Sequence, residues 1–147
     1  HLCENLGSAM AACRGIETFL RAFALSMPTG KQNSFANRTL PAGIVVELRE
    51  TQPVSLVNAF EKPVTATAEK SQTERACEEL IAQERAIDEA FGIVPRATYA
   101  VIASPDAGAL KEFPNVQVAT LDSLVAQVCG ACESYLADNG CPREEQG

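Results

Sequence analysis

Ile44-Val45-Val46-Glu47-Leu48 decides the fold class. It is short, rich in β-branched residues, and bounded by Pro41-Ala42-Gly43 on one side and Pro53 on the other, the composition and punctuation of a β-strand. On its N-terminal side lies a helical pattern: Ser8 is placed to cap a helix running to about Met27, with Cys13, Ile16, Leu20, Phe23 and Met27 at helical spacing and Phe19 beside them. Arg14, Glu17 and Arg21 mark its wet side. The broad apolar face is expected to cover a sheet, with Phe19 and Phe23 in the core.

Between helix and strand runs Met27-Pro28-Thr29-Gly30-Lys31-Gln32-Asn33-Ser34-Phe35, continuing through Ala36, Asn37 and Arg38. Pro28 stops the helix, and Gly30 permits backbone angles closed to other residues. Lys31, Gln32, Asn33 and Ser34 are side chains that all hydrogen-bond to phosphate, and Phe35 offers a flat surface for stacking or anchoring. A polyanion-binding loop and an ordinary polar connection both fit this stretch taken alone.

Beyond the strand come Gln52-Pro53-Val54 and Asn58-Ala59-Phe60-Glu61-Lys62-Pro63-Val64. Pro63 keeps Asn58 to Glu61 from extending as a helix, so a turn held by Asn58 and Glu61 side-chain bonds is expected. Together with Pro28 to Phe35 and the lead-in Glu4-Asn5-Leu6-Gly7, these motifs resemble the CasC-type backbone subunit of the type I-E CRISPR Cascade complex. The motifs lie in the first half of the chain. The remainder resembles that family in its order of elements only.

A polar connector from Thr65 leads to a second helical pattern over about 73–91, with Ala76, Cys77, Leu80, Ile81, Ile87 and Phe91 on or near one face. Glu74 with Glu78, and Glu84 with Asp88, read as solvated surface pairs. Gly92 and Pro95 end the helix. A second strand follows at Thr98 to Ala103, then the turn signal Ser104 to Gly108, a short third strand at Val116 to Val118, and a last helix from Leu121 with Leu124, Val125, Val128, Cys129, Cys132 and Leu136 as its stripe. This alternation predicts an α+β fold, part of a ferredoxin-like or RRM-like domain in which a short sheet is backed by helices. Residues 1–138 are assigned to that domain and 139–147 to a disordered tail.

The chain has 147 residues, 46% of them hydrophobic, and a mean hydropathy near zero, which fits a soluble domain with a real core. No apolar run reaches membrane-spanning length and no leader pattern opens the chain, so a cytoplasmic location is expected. His1 is not an initiator methionine, so the chain is read as processed or a fragment; the resemblance implies a C-terminal fragment. Net charge is −7, which speaks against indiscriminate nucleic-acid binding, but it is uneven: +2 through Arg49 and −9 from Glu50 onward. The loop lies in the positive part.

Six cysteines, Cys3, Cys13, Cys77, Cys129, Cys132 and Cys141, are read as reduced thiols, mostly small core residues. Cys129-Gly130-Ala131-Cys132 has the gap of a zinc or redox pair but no second pair, and Gly130 inside a helical pattern points to close packing. Lys31 is followed by Gln32, not by the Lys-Ser/Thr ending of a phosphate cradle, and His1 is the one histidine, so no hydrolytic constellation forms. No enzyme activity, metal or cofactor is expected.

The resemblance implies a crRNA-binding subunit that assembles side by side with further copies of itself and with other Cascade subunits, presenting the guide for pairing with target DNA. It implies backbone contacts from Lys31, Gln32, Asn33 and Ser34, a second cation at Arg38, and a loop shaped by Pro28, Gly30 and Phe35. The alternative is an α+β protein-interaction module without nucleic-acid binding.

Overall fold

In a computed structural model, residues 5–26 and 40–142 are described. The chain divides into two compact units, one of residues 1–40 with 121–147 and one of residues 41–120.

The first unit is a helix pair, α1 (Ala9–Leu25) against α3 (Leu121–Asp138). Ser8 caps α1 as expected, its hydroxyl accepting from the Ala11 amide at 3.1 Å. The buried side of α1 is Ala9, Ala12 and Ala24, small residues that let the helix approach Leu124, Val125 and Val128 of α3 closely. The expected core positions of Phe19 and Phe23 are overturned. The two rings stack on one another with centroids 6.0 Å apart and remain 64% and 68% exposed. Helical periodicity marked an apolar stripe, but the alanine edge permits the close interhelical contact and the bulky edge does not. At the wet side, Arg21 bonds Glu17 at 2.9 Å and Asp122 of α3 at 2.6 Å. Past α3, the Cys141 amide returns to the Leu136 carbonyl at 2.9 Å and the Pro142 carbonyl accepts from Ala9 at 2.7 Å, which ties residues of the expected tail to the helix pair.

The second unit is a three-stranded sheet of order β1-β2-β3, with β1 (Gly43–Leu48) antiparallel to β2 (Ala97–Ile102) and β3 (Val116–Val118) parallel to it. Val45 pairs with Ala100, and Ala100 in turn with Val118. Helix α2 (Gln72–Phe91) backs the sheet. Ser71 caps its start, and Gly92 ends it at φ 64°, a left-handed angle that favours glycine, with its amide on the Asp88 carbonyl at 2.8 Å. The turn signal at Ser104 opens a 3₁₀ helix, Pro105–Glu112, that carries the chain from β2 to β3. Cys77 and Ile81 of α2, Ala100 of β2, and Ala107, Leu110 and Phe113 form the core. Gly43 of β1 lies so close to Leu110 and Ala107 that a side chain there would displace them. This is the α+β arrangement expected, a short mixed sheet backed by helices in the ferredoxin-like or RRM-like manner.

Candidate functional site

The segment after β1 builds the surface where the quoted motifs gather. Pro53 and Val54, with Leu56, Thr51 and the end of β1, line a cavity of about 580 Å³ whose wall includes Glu47, Arg49 and Leu80. Asn58 and Glu61 are brought together at a second, more polar cavity of about 430 Å³, against the α2 residues Arg75, Glu79 and Gln83. The intervening turn is a 3₁₀ helix, Val57–Phe60. It is closed by main-chain bonds, Ala59 to the Leu56 carbonyl at 3.0 Å and Glu61 to the Asn58 carbonyl at 3.2 Å. The expected side-chain bonds of Asn58 and Glu61 do not occur among the described residues; both residues line the cavity.

Two cations line the same cavity and were not singled out in the sequence, although Lys62 sits inside the quoted motif. Arg75 is engaged, donating to the Thr65 carbonyl at 2.9 Å. Lys62 is exposed and makes no ion pair among the described residues. The loop positions Pro28, Gly30, Lys31, Gln32, Asn33, Ser34, Phe35 and Arg38 lie outside the described residues.

At the first cavity is a buried charge cluster, of which Glu84 and Asp88 were expected on the wet surface. Cys77, Ile81, Glu84 and Asp88 follow one another at helical spacing, so the carboxylates continue the core stripe of α2. Val45, Glu47 and Arg49 alternate along β1 and carry the matching face. These two periodicities were the available signal. The Arg49 guanidinium joins Glu84 directly, Glu47 at 3.0 Å and Asp88 at 3.7 Å, and donates to the Ile93 carbonyl at 2.7 Å. Side-chain exposure is 6% for Arg49, 0% for Glu84, 13% for Glu47 and 11% for Asp88, so the pairing of Glu84 with Asp88 as solvated surface is corrected. Burial, and then the negative charge of Glu47, push Glu84 up to about 7. Burial opposes the Arg49 charge, but the Glu47 hydrogen bond and the surrounding carboxylates outweigh it and hold its pKa above the usual value.

Thiols follow a different pattern. Cys13, Cys77, Cys129 and Cys132 are free, as expected, and burial raises the pKa of each, that of Cys13 to about 11. The Cys13 thiol donates to the Cys129 carbonyl at 3.5 Å and the Cys129 thiol to the Cys13 carbonyl at 3.6 Å, so both serve the α1–α3 contact. Cys141 departs from the expectation of reduced thiols and is disulfide-bonded; it lies past the end of α3, outside the apolar helical setting on which that expectation rested. Gly130 also departs from expectation, since a side chain there would meet only open space. Among the described residues no group of three His, Cys, Asp or Glu side chains is arranged to hold a metal ion.

The sequence pattern of the CT1975-like protein family matches residues 1–127, most of the chain and all of the motif-bearing part. The chain belongs to this family. Its fold is similar to that of a chain in a solved structure described as a CRISPR RNA-guided surveillance complex, with 28% identity and a TM-score of 0.68 over 85% of this chain and 48% of that one. A second, described as a CRISPR RNA-guided surveillance complex, pre-nicking, shares 27% identity with a TM-score of 0.71 over 88% of this chain and 34% of that one. The chain therefore spans about half of the first relative's length and a third of the second's. No curated protein matches it. Family and structural matches agree in bearing out the expected kinship with CasC-type Cascade subunits. No helix among the described residues is long and apolar enough to cross a membrane.

Proposed function

We propose that this chain is part of a non-catalytic, cytoplasmic guide-RNA-binding backbone subunit of a type I-E Cascade surveillance complex. In this reading it binds the crRNA backbone, stands beside further copies of itself and other Cascade subunits, and holds the guide where target DNA pairs with it. Lys31 neutralises a guide phosphate, Gln32, Asn33 and Ser34 hydrogen-bond to phosphate or 2′-hydroxyl groups, and Arg38 adds a second cation. Pro28 and Gly30 shape the loop, and Phe35 anchors it.

The observation that carries this reading is the family match over residues 1–127, which includes the loop, taken with the likeness to chains of RNA-guided surveillance complexes. Charge supports it: the loop falls in the part of the chain with net +2, while the remainder at −9 disfavours unspecific contact with nucleic acid. Because guide and target recognise one another by base pairing, the protein needs backbone contacts more than base readout, which suits a loop of one lysine and three neutral hydrogen-bonding residues.

The test is to express the gene with its neighbours, purify its product by a tag, and sequence the RNA that accompanies it. Uniform short RNAs sharing a constant repeat-derived end are expected. A clean protein partner that survives nuclease treatment, with no RNA, would instead establish the interaction-module reading.

A further inference from the structure

We propose that Glu84 holds a proton directed at Glu47, which makes the junction of β1 and α2 a buried proton-binding site. The inference is independent of RNA binding. Four charged groups meet there: Glu47 and Arg49 from the strand side, Glu84 and Asp88 from the helix. One guanidinium faces three carboxylates, so full ionisation would leave two uncompensated negative charges in a site largely shielded from water.

Four of the five Arg49 N–H donors are already engaged, and none reaches the remaining carboxylate oxygens. Nη1 is spent on the Ile93 carbonyl, Nε and Nη2 on Glu47 Oε2, and Nη2 also on Glu84 Oε1. Glu47 Oε1, Glu84 Oε2 and Asp88 Oδ1 are left buried without a hydrogen-bond donor. Orphaned carboxylate oxygens call for either a cation or a proton. The cation fails, because these side chains are not disposed around a common point as metal ligands. A proton succeeds: it supplies a missing donor, lowers the cluster's net charge by one, and allows a hydrogen bond between the two glutamates.

Glu84 is the carboxyl that holds it, being fully buried whereas Glu47 and Asp88 keep slight contact with solvent. The charges acting on Glu84 are Glu47 and Arg49 from the strand and Asp88 from its own helix. From the 3₁₀ helix Pro105–Glu112, which also packs on α2, the polar contact is the Glu112 carbonyl with Arg85. An acid whose folded pKa is raised, here from 4.5 to about 7, lends stability in full below the unfolded value and loses it as pH rises through the folded one.

The experiment is performed on the whole chain. A carboxyl-carbon NMR titration with labelled glutamate is combined with urea unfolding at pH values from about 4.5 to about 8.5, for wild type and Glu84→Gln. One glutamate carbon, absent from the variant, is expected to titrate near 7. The folding equilibrium constant of wild type relative to the variant is expected to fall about tenfold per pH unit between about 4.5 and about 7, then to level off, about 300-fold in all. A Glu84 carbon that titrates at the ordinary glutamate value, or unfolding profiles that run parallel, would overturn the proposal. If the variant does not fold, the wild-type titration alone decides.

Discussion

Arg49, one residue past the end of β1, is the single cation inside the carboxylate cluster and forms a direct ion pair with Glu84 of α2, a side chain with no solvent exposure. The pair fastens strand to helix across the cavity wall. Removing Arg49 leaves three carboxyl groups with no counter-charge in a site largely shielded from water. Arg49→Met is expected to destabilise the fold by about 3–5 kcal/mol, read as a lower urea midpoint at pH 7 with an unchanged slope. Arg96→Met, which breaks the exposed pair with Glu50, serves as the comparison and is expected to leave the midpoint nearly in place.

Two glycines are expected to respond in opposite directions to alanine. At Gly43 a methyl group would meet Leu110 and Ala107, and the Val101 carbonyl at 3.3 Å, so Gly43→Ala is expected to cost about 1–3 kcal/mol by overpacking. Gly130 lies within α3 and faces open space, so Gly130→Ala is expected to add about 0.5–1 kcal/mol through helix propensity. Thermal unfolding of the two variants beside wild type checks both signs.

Burial holds the thiols of Cys13, Cys77, Cys129 and Cys132 above their ordinary pKa, so the reactive thiolate is scarce at neutral pH. Alkylation by iodoacetamide at pH 7.5, followed by mass spectrometry, is expected to be slow at all four in the native chain and complete in denaturant. For Cys13 the native rate is expected to climb as pH rises toward about 11. Rapid native labelling of Cys13 at neutral pH would contradict the burial seen between α1 and α3.

Lys31→Ala tests the guide-binding proposal at one residue. Within an assembled complex it is expected to weaken RNA binding by a similar factor for all guide sequences, because a phosphate contact carries no base information. The slope of log affinity against log salt is expected to become shallower by about 0.7, the share of one phosphate on a single strand. An unchanged affinity and slope would remove Lys31 from the interface.

Much of the fold was legible from residue order. The β-branched run at Ile44–Leu48, the caps at Ser8 and Gly92, and the strand at Thr98 mark local choices of backbone conformation, and each is found within a residue or so of where it was expected. These signals are local: a capping hydroxyl or a left-handed glycine acts on the turn beside it. The kinship was legible too, because the motifs at 28–35 and 52–64 carry it as strings of residues, and the family match spans them.

What the sequence left undecided is which side of each periodic element meets a partner. Phe19 and Phe23 have the spacing of a core stripe, yet α3 packs against the alanines of the same helix. Glu84 and Asp88 have the spacing of a solvated pair, yet they extend the stripe of Cys77 and Ile81 and meet Arg49 just past the end of β1. Nor does residue order reveal that Asn58 and Glu61 line a cavity shared with Arg75. Periodicity assigns a residue to a face of its own element and nothing more; only the packing of one element on another determines whether that face is dry, and with it whether a carboxylate stays charged, gains a counter-ion, or takes up a proton.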